Sequence, residues 1–140
     1  MSLFQIAFVS VSVGLFSMAD IEDILTTSRR NNCALEITSA LLYKKGEILQ
    51  ILEGERETVL ERFRVIEKDP RHRGVIQVYE REIAERDFPG LSMGFDDLTS
   101  GEELFYRSVD DVAGQELPWR GFAKPSVAMR LITSFRSRLR

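Results

Sequence analysis

The sequence predicts an α+β fold, in which two helices pack on one β-sheet and the elements follow the order βαββαββ. Two observations lead to this prediction. Short segments with apolar or alternating side chains, typical of strands, lie on both sides of two longer segments with helical periodicity. Each helical segment returns the chain to a sheet that must contain antiparallel pairs, which is the pattern of a two-layer sandwich.

The first strand and the first helix are predicted from the N-terminal segment. Residues 3–10 alternate, so that three large apolar side chains share one face of a strand. Ser17 and Asp20 then have the spacing of a helix capping box. We expect this helix to end near Arg30, because the pair Asn31–Asn32 that follows is typical of a helix C-terminal stop.

The next two strands form a predicted hairpin. Residues 37–43 are the outgoing strand, residues 44–47 the turn, and the apolar run 48–52 the returning strand. We expect that strand to end at Gly54. Its middle residue is Gln50, the one polar side chain in the run.

The remaining segments complete the sheet and add an extension. A second helix is predicted over residues 56–68, and strands over residues 75–82 and 91–95. The resulting order is that of a ferredoxin-like sandwich. Residues 126–139 form an apolar helical stripe, which we expect to cover the open sheet face of this chain or of a second copy in a homo-oligomer.

Composition excludes several classes of function. The chain has 140 residues, the size of one domain, and its net charge of −3 argues against nucleic acid or an anionic membrane as partner. Cys33 is the one cysteine and His72 the one histidine, which excludes an internal disulfide and a cysteine- or histidine-rich metal site. Without a secretory signal or a segment of membrane-spanning length, we expect a cytoplasmic protein.

Gln50 requires a partner if its strand is buried. An unpaired buried amide costs about 1–3 kcal/mol, so either neighbouring protein groups or a polar ligand must bind it. The predicted topology brings several polar and apolar side chains into its neighbourhood, namely Phe8, Ser10, Ile24, Ser28, Asn32 and Ile48. A slot with an amide floor suits a flat heterocycle.

Basic residues follow the second predicted helix. Arg71, His72 and Arg73 come directly after the helix stop. Such a cluster is usually a solvated helix end, and near a slot it also suits a phosphate group. The sequence pattern alone leaves both interpretations open.

These residues together resemble the BLUF family, blue-light sensors that use flavin. The matching motifs are Asn31–Asn32, Ile37–Thr38, Leu42–Tyr43, Leu49-Gln50-x-Leu52-Glu53-Gly54, Asp69-x-Arg71-His72, Phe88 and Ser92–Met93. The resemblance implies a short stand-alone member with a flavin-binding domain over residues 1–97. It also implies non-covalent FAD or FMN between the two helices, with residues 98–140 as a helical extension packed on the sheet.

The resemblance implies cofactor-binding residues of three kinds. Those that hydrogen-bond the edge of the flavin ring are Asn31, Asn32 and Gln50. Those that line its faces and rim are Ile24, Ser28 and Ile48. Those toward the ribityl and phosphate end are Asp69, Arg71 and His72. Gln50 and Met93 are the implied switch residues, in contact with each other.

The chain departs from the family pattern at four positions. Phe8 replaces a tyrosine that gives an electron and a proton to the excited flavin, and Leu91 replaces a tryptophan. Glu36 and Ser39 replace two glycines, which often mark close backbone approach. The resemblance therefore implies a FAD-binding sensory and signalling domain whose tyrosine-driven photocycle is impaired, and which acts on a downstream protein.

Two alternatives remain beside this interpretation. The first is a degenerate interaction or scaffold protein with weak or no flavin binding. The second is a flavoenzyme, which is disfavoured because no acid–base or nucleophilic constellation accompanies the slot. A single-strand RNA platform is also disfavoured, since the chain is acidic and lacks clustered aromatic side chains on the outer sheet face.

Overall fold

A computed structural model describes residues 3–98, 117–120 and 125–137. Its α-helices and strands, in chain order, are β1 (Leu3–Ser12), α1 (Met18–Ala34), β2 (Thr38–Lys44), β3 (Glu47–Glu55), α2 (Arg56–Glu67), β4 (His72–Ile83), β5 (Gly94–Asp97) and α3 (Val127–Ser137). The predicted α+β class and the C-terminal helix are confirmed. None of the helices in the described ranges combines the length and apolarity that crossing a membrane requires.

The five strands form one sheet in the order β4-β1-β3-β2-β5. β1 pairs antiparallel with both β3 and β4, and β2 pairs antiparallel with β3. β5 pairs parallel with β2 at one edge. The first four strands of this order reproduce the predicted ferredoxin-like sandwich.

Helices cover the two faces of the sheet unequally. α1 and α2 pack on one face, here the slot face, where the apolar side chains are Phe4, Ile6, Phe8, Leu41, Tyr43, Ile48 and Leu52. α3 packs on the opposite, outer face, where they are Ala7, Ala40, Leu42, Leu49 and Ile51. β1, β2 and β3 therefore contribute alternate side chains to the apolar packing on both faces of the sheet.

α3 accounts for the apolar stripe of the extension. Ala128, Ile132 and Phe135 are buried against the outer face, and Leu131 is partly buried there. Leu139, the last residue of the predicted stripe, lies outside the described residues, as do residues 99–116 and 121–124. The boundary between the domain over residues 1–97 and the extension over residues 98–140 stays a prediction.

Replacing Ile132 by Asp should lower the free energy of unfolding by about 3 kcal/mol. The substitution removes a side chain that has no exposed surface and places a carboxylate among apolar neighbours. Thr133→Asp, at the next and exposed position of α3, is the matched control and should change stability by less than about 0.5 kcal/mol. Urea unfolding measures both, and equal losses would contradict the packing described for α3.

The predicted end of α1 at Arg30 was wrong, because the helix continues to Ala34 and includes Asn31 and Asn32. It ends where Glu36 adopts a left-handed conformation with φ of 57° and the Ile37 amide donates to the Asn32 carbonyl. Glycine usually occupies this position after a helix. The backbone conformation at position 36 therefore favours the glycine of the family pattern over the glutamate of this chain.

Strand ends also differ from prediction. β3 passes through Gly54 and ends at Glu55, and at Gly54 a Cβ atom would lie 3.2 Å from the Glu36 carbonyl oxygen. β4 begins at His72, so His72 and Arg73 open a strand, and Arg71 directly precedes it. β5 begins only at Gly94, which leaves Leu91 and Met93 in the preceding loop.

A buried carboxylate on the outer face fastens that loop to the sheet. Glu53 accepts hydrogen bonds from the Gln5 amide, the Thr38 hydroxyl and the backbone amides of Asp87 and Phe88, at 2.7–3.0 Å. The Tyr79 hydroxyl extends the network by donating to Gln5 at 2.7 Å. Burial raises the pKa of Glu53, while these donors oppose the rise.

Candidate functional site

A cleft opens between α1 and α2 over the slot face of the sheet. Its inner volume is about 70 Å³, and about 520 Å³ when the space open to solvent at its mouth is included. The residues that line it are Phe16, Ile24, Thr27, Ser28, Leu41, Ile48, Gln50, Arg62, Ile66, Asp69, Arg71 and His72. Ligand pockets usually measure roughly 300–1,000 Å³, so a flavin ring requires side chains at the mouth to move outward.

Gln50 forms part of the floor of this cleft. It lies opposite Phe8 on β1 and Leu41 on β2, and its exposed fraction is 6%. Within residues 3–98, 117–120 and 125–137, its side-chain amide has no hydrogen-bond partner. The interpretation of Gln50 as a core amide bound by neighbouring protein groups therefore receives no support, and a hydrogen-bond partner must come from the cleft, as water or as a ligand.

The cleft brings together most of the predicted cofactor-binding residues. Those among its lining residues are Ile24, Ser28, Ile48, Gln50, Asp69, Arg71 and His72. Asn31 and Asn32 do not line the cleft. Phe8 and Met93, the other two residues assigned to the site, do not line it either. The assignment of all of these residues to flavin binding or switching stays a prediction.

Asn32 is occupied by protein partners. Its side-chain amide nitrogen donates to the Ser39 hydroxyl at 3.1 Å and to the Ser92 carbonyl at 2.7 Å, and only 1% of the residue is exposed. The Ser39 hydroxyl itself donates to the Ser92 carbonyl at 2.7 Å. Both N–H groups of the Asn32 amide are thus used within the chain, and one of them by the residue that replaces a family glycine.

Asn32→Ala should lower the free energy of unfolding by about 1–3 kcal/mol, because it removes two buried hydrogen bonds between α1, β2 and the loop before β5. Asn31→Ala is the control, since Asn31 is only partly buried, and it should change stability by less than about 0.5 kcal/mol. Thermal or urea unfolding measures both. Unchanged stability of Asn32→Ala, together with a tenfold loss of flavin affinity, would show that the amide serves a ligand instead.

The charged end of the cleft is largely paired. The Arg71 guanidinium contacts the Asp69 carboxylate at 2.7 Å and the Asp23 carboxylate at 3.1 Å. The hydrogen bond from the Arg71 side chain holds the pKa of Asp69 below its ordinary value. His72 contacts the Ser10 hydroxyl and the Ile66 carbonyl through its two ring nitrogens, each at 2.7 Å. Arg71 and His72 therefore have protein partners where we expected groups free for a phosphate.

Arg62 lines the cleft and was missed in the sequence. It lies on α2, four residues before Ile66, so the inward helical stripe that includes Ile66 could have identified it. Its Nε atom is buried and has no hydrogen-bond partner among the described residues. Burial lowers the pKa of this guanidinium, and the negative charge of Asp69 opposes that effect.

Phe8 and Met93 lie on either side of the cleft region. Phe8 is fully buried on β1, and its ring meets that of Phe63 on α2 edge to face with centroids 4.8 Å apart. Met93 packs with the α1 residues, and the Ser39 hydroxyl contacts its sulfur at 3.6 Å. Met93 directly precedes edge strand β5, and strand β2 lies between β5 and β3, the strand that carries Gln50.

Comparison with known proteins places the chain in a family. The family model described as BLUF, sensors of blue-light using FAD, matches residues 3–94. Photoactivated adenylate cyclase subunit beta of Euglena longa is 34% identical over 88 residues, which are 63% of this chain and 10% of that protein. This chain therefore spans only a small part of the length of that relative.

Solved structures agree with the family match. The dark-state structure of BlrB, a BLUF protein, has a TM-score of 0.68 at 32% identity and is aligned over 81% of this chain and 86% of its own. Klebsiella pneumoniae BlrP1, solved with FMN and cyclic diGMP, has a TM-score of 0.76 at 26% identity over 96% of this chain and 34% of its own.

Proposed function

Because this chain belongs to the BLUF family of blue-light sensors using FAD, we propose that it is a flavin-binding sensory domain that signals to a partner protein. The proposal includes a light response impaired by Phe8. The observation that carries it is the Gln50 amide, which lies on the floor of the cleft without a protein partner. The polar edge of a flat ring can offer both acceptors and donors, which hydrogen-bond the N–H groups and the oxygen of such an amide.

The residues of the cleft suit a flavin in three respects. Ile24 and Ile48 provide apolar surface for the faces of the ring, and Gln50 provides an amide for its edge. Arg62 provides an unpartnered cationic N–H group, and an acceptor on a ligand would satisfy it. When bound, the flavin supplies the absorption of blue light, and the chain binds and orients it.

FAD and FMN share the ring and the first phosphate, and both fit this proposal. BlrP1 was solved with FMN, while the family description names FAD. We propose no catalytic activity for this chain. The cyclase activity named for the Euglena longa relative belongs to a protein of which this chain matches 10%.

One observation favours a second candidate, an interaction protein with weak flavin binding. Ser39 and Ser92 occupy both N–H groups of Asn32, which the resemblance assigns to the flavin edge. A flavin acceptor would have to displace one of these bonds, whereas a flavin N–H group could still donate to the Asn32 side-chain oxygen. The two candidates differ in affinity, so a binding measurement separates them.

Titration with FAD tests the proposal. We expect the purified chain to bind FAD at micromolar concentration or tighter, followed by flavin fluorescence anisotropy. Gln50→Leu should weaken binding about tenfold, the equivalent of 1.4 kcal/mol. Gln77→Leu is the matched control on the exposed edge strand β4 and should bind as the parent does. If FAD does not bind at a concentration about 100 times the expected Kd, the result favours the interaction protein.

A further inference from the structure

Arg62 is a cationic side chain whose Nε–H group has no hydrogen-bond acceptor among the described residues. The side chain lines the cleft, and its Nε atom is buried without a partner among the described residues. A buried donor of a charged group that lacks an acceptor is costly, more so than a neutral one. At the wall of a cleft, such an atom can be satisfied by a water molecule or by an acceptor on a bound ligand.

The other charged groups at this end of the cleft differ from Arg62. Asp69 and Arg71 bind each other, and Asp23 adds a second carboxylate to Arg71. His72 is held at both ring nitrogens. Among the described residues that line the cleft, Arg62 is thus the cation with a buried N–H group left to bind an anion.

We propose that Arg62 binds the phosphate of the flavin and makes the cleft select phosphorylated flavins over riboflavin. This inference rests on the proposed flavin-binding function and names the ligand class that the same site prefers. Arg62 is a positioning and specificity residue in this proposal, and the flavin ring is held elsewhere in the cleft, at Gln50.

The choice of phosphate as the acceptor follows from charge and position. Arg62 lies close enough to Asp69 for the two charges to interact, and Asp69 contacts Arg71, so Arg62 belongs to the charged part of the cleft. A guanidinium binds phosphate oxygens through paired, charge-assisted hydrogen bonds that are about twice as strong as neutral ones. A ring carbonyl is a neutral acceptor common to all flavins, so a contact there would give no selectivity.

Paired titrations with riboflavin and FMN test the proposal. The full chain should bind FMN at least tenfold more tightly than riboflavin. Arg62→Met, which keeps a long apolar stem, should bring the ratio of the two dissociation constants to within about twofold of one, by weakening FMN alone. Arg64→Met is the matched control, because Arg64 is exposed on the same helix and does not line the cleft, and it should keep the parent ratio.

A second measurement reports on the phosphate directly. The second pKa of a free phosphate monoester is about 6, and a neighbouring guanidinium should lower it by favouring the dianion. Phosphorus NMR of FMN bound to the parent chain should show this lowered value. In Arg62→Met the pKa should return toward that of free FMN, and in Arg64→Met it should stay low.

Several outcomes overturn the proposal. A parent chain that binds riboflavin and FMN equally well contradicts it and leaves the flavin-binding function standing. So does an Arg62→Met variant that keeps the parent ratio, or one that loses both flavins by the same factor, which indicates a packing role. Binding of neither flavin by the folded parent chain removes the proposed function, and the inference with it. If Arg62→Met is unfolded by circular dichroism, Arg62→Gln, which also removes the charge, replaces it, and an unchanged phosphate pKa in the parent complex alone contradicts the proposal.

Discussion

Blue light is expected to leave the absorption of the flavin-loaded chain without a reversible red shift, and the bound flavin is expected to stay fluorescent. In the family that this chain resembles, the shift begins when a tyrosine gives up an electron and a proton. Phe8 stands at that position, directly opposite Gln50 in the sheet and fully buried. Its ring has no hydroxyl, so it can neither supply the proton nor hydrogen-bond the Gln50 amide.

The other tyrosines and the tryptophan among the described residues are placed differently. Tyr79 and Trp119 lie toward the outer face, where they donate hydrogen bonds to Gln5 and Asp96. Tyr43 lies on the slot face and stacks on Phe16, a lining residue, while its hydroxyl accepts a hydrogen bond from the Phe16 backbone amide. Tyr43 is therefore the tyrosine to replace when testing whether another side chain donates an electron to the excited flavin.

Phe8→Tyr should shorten the fluorescence lifetime of bound flavin several-fold, because it restores an oxidisable side chain next to Gln50. Time-resolved fluorescence and difference spectra before and after blue light measure the effect. Tyr43→Phe in the parent chain should change neither lifetime nor spectrum. A reversible red shift in the parent chain that Tyr43→Phe abolishes would contradict the role assigned to Phe8 and identify Tyr43 as the donor.

Glu53→Ala should lower the free energy of unfolding by about 3–5 kcal/mol, more than any other single change considered for this chain. The substitution leaves the Thr38 hydroxyl and the backbone amides of Asp87 and Phe88 without their acceptor, in a place where Glu53 itself has no exposed surface. Each donor stranded in this way costs about 1–3 kcal/mol. Urea unfolding measures the loss.

Glu61→Ala on the exposed side of α2 is the control and should change stability by less than about 0.5 kcal/mol.

Glu53→Gln gives a second readout, which depends on pH. Since burial raises the folded-state pKa of Glu53 above 4.5, the folded state holds this proton more tightly than the unfolded state does. The contribution of Glu53 to stability is therefore greatest below pH 4.5 and falls as the pH rises through the folded-state pKa. Glu53→Gln should remove this fall, and an unchanged pH slope would contradict the assignment.

Much of the fold could be predicted because local patterns and tertiary packing agree. The alternation along β1 and β3 placed Phe8 and Gln50 on one face, and the register confirms that they are neighbours. The end of α1 could not be predicted in this way. The Asn32 amide bonds to Ser92, 60 positions away, and Glu36 adopts a backbone conformation that glutamate rarely takes.

The candidate site was predictable to a similar extent. The burial of Gln50 followed from its strand, whereas the pairing of Arg71 with Asp23 joins residues 48 positions apart and leaves no local signal. From the sequence alone, Arg62 can be placed on the inward stripe of α2 that includes Ile66, but nothing there distinguishes it from a solvated arginine of a charged helix. Its importance appears only when the cleft and the missing partner of its Nε atom are known.

Side-chain amide signals in an NMR titration with FMN test the central claim most directly. The signals of Gln50, assigned through Gln50→Leu, should shift on binding, because this amide is proposed to meet the flavin edge. The amide of Gln5, which is held by Glu53 and Asp87 on the outer face, should stay in place. Binding that shifts Gln5 and leaves Gln50 unmoved would place the flavin on the wrong side of the sheet and contradict the account.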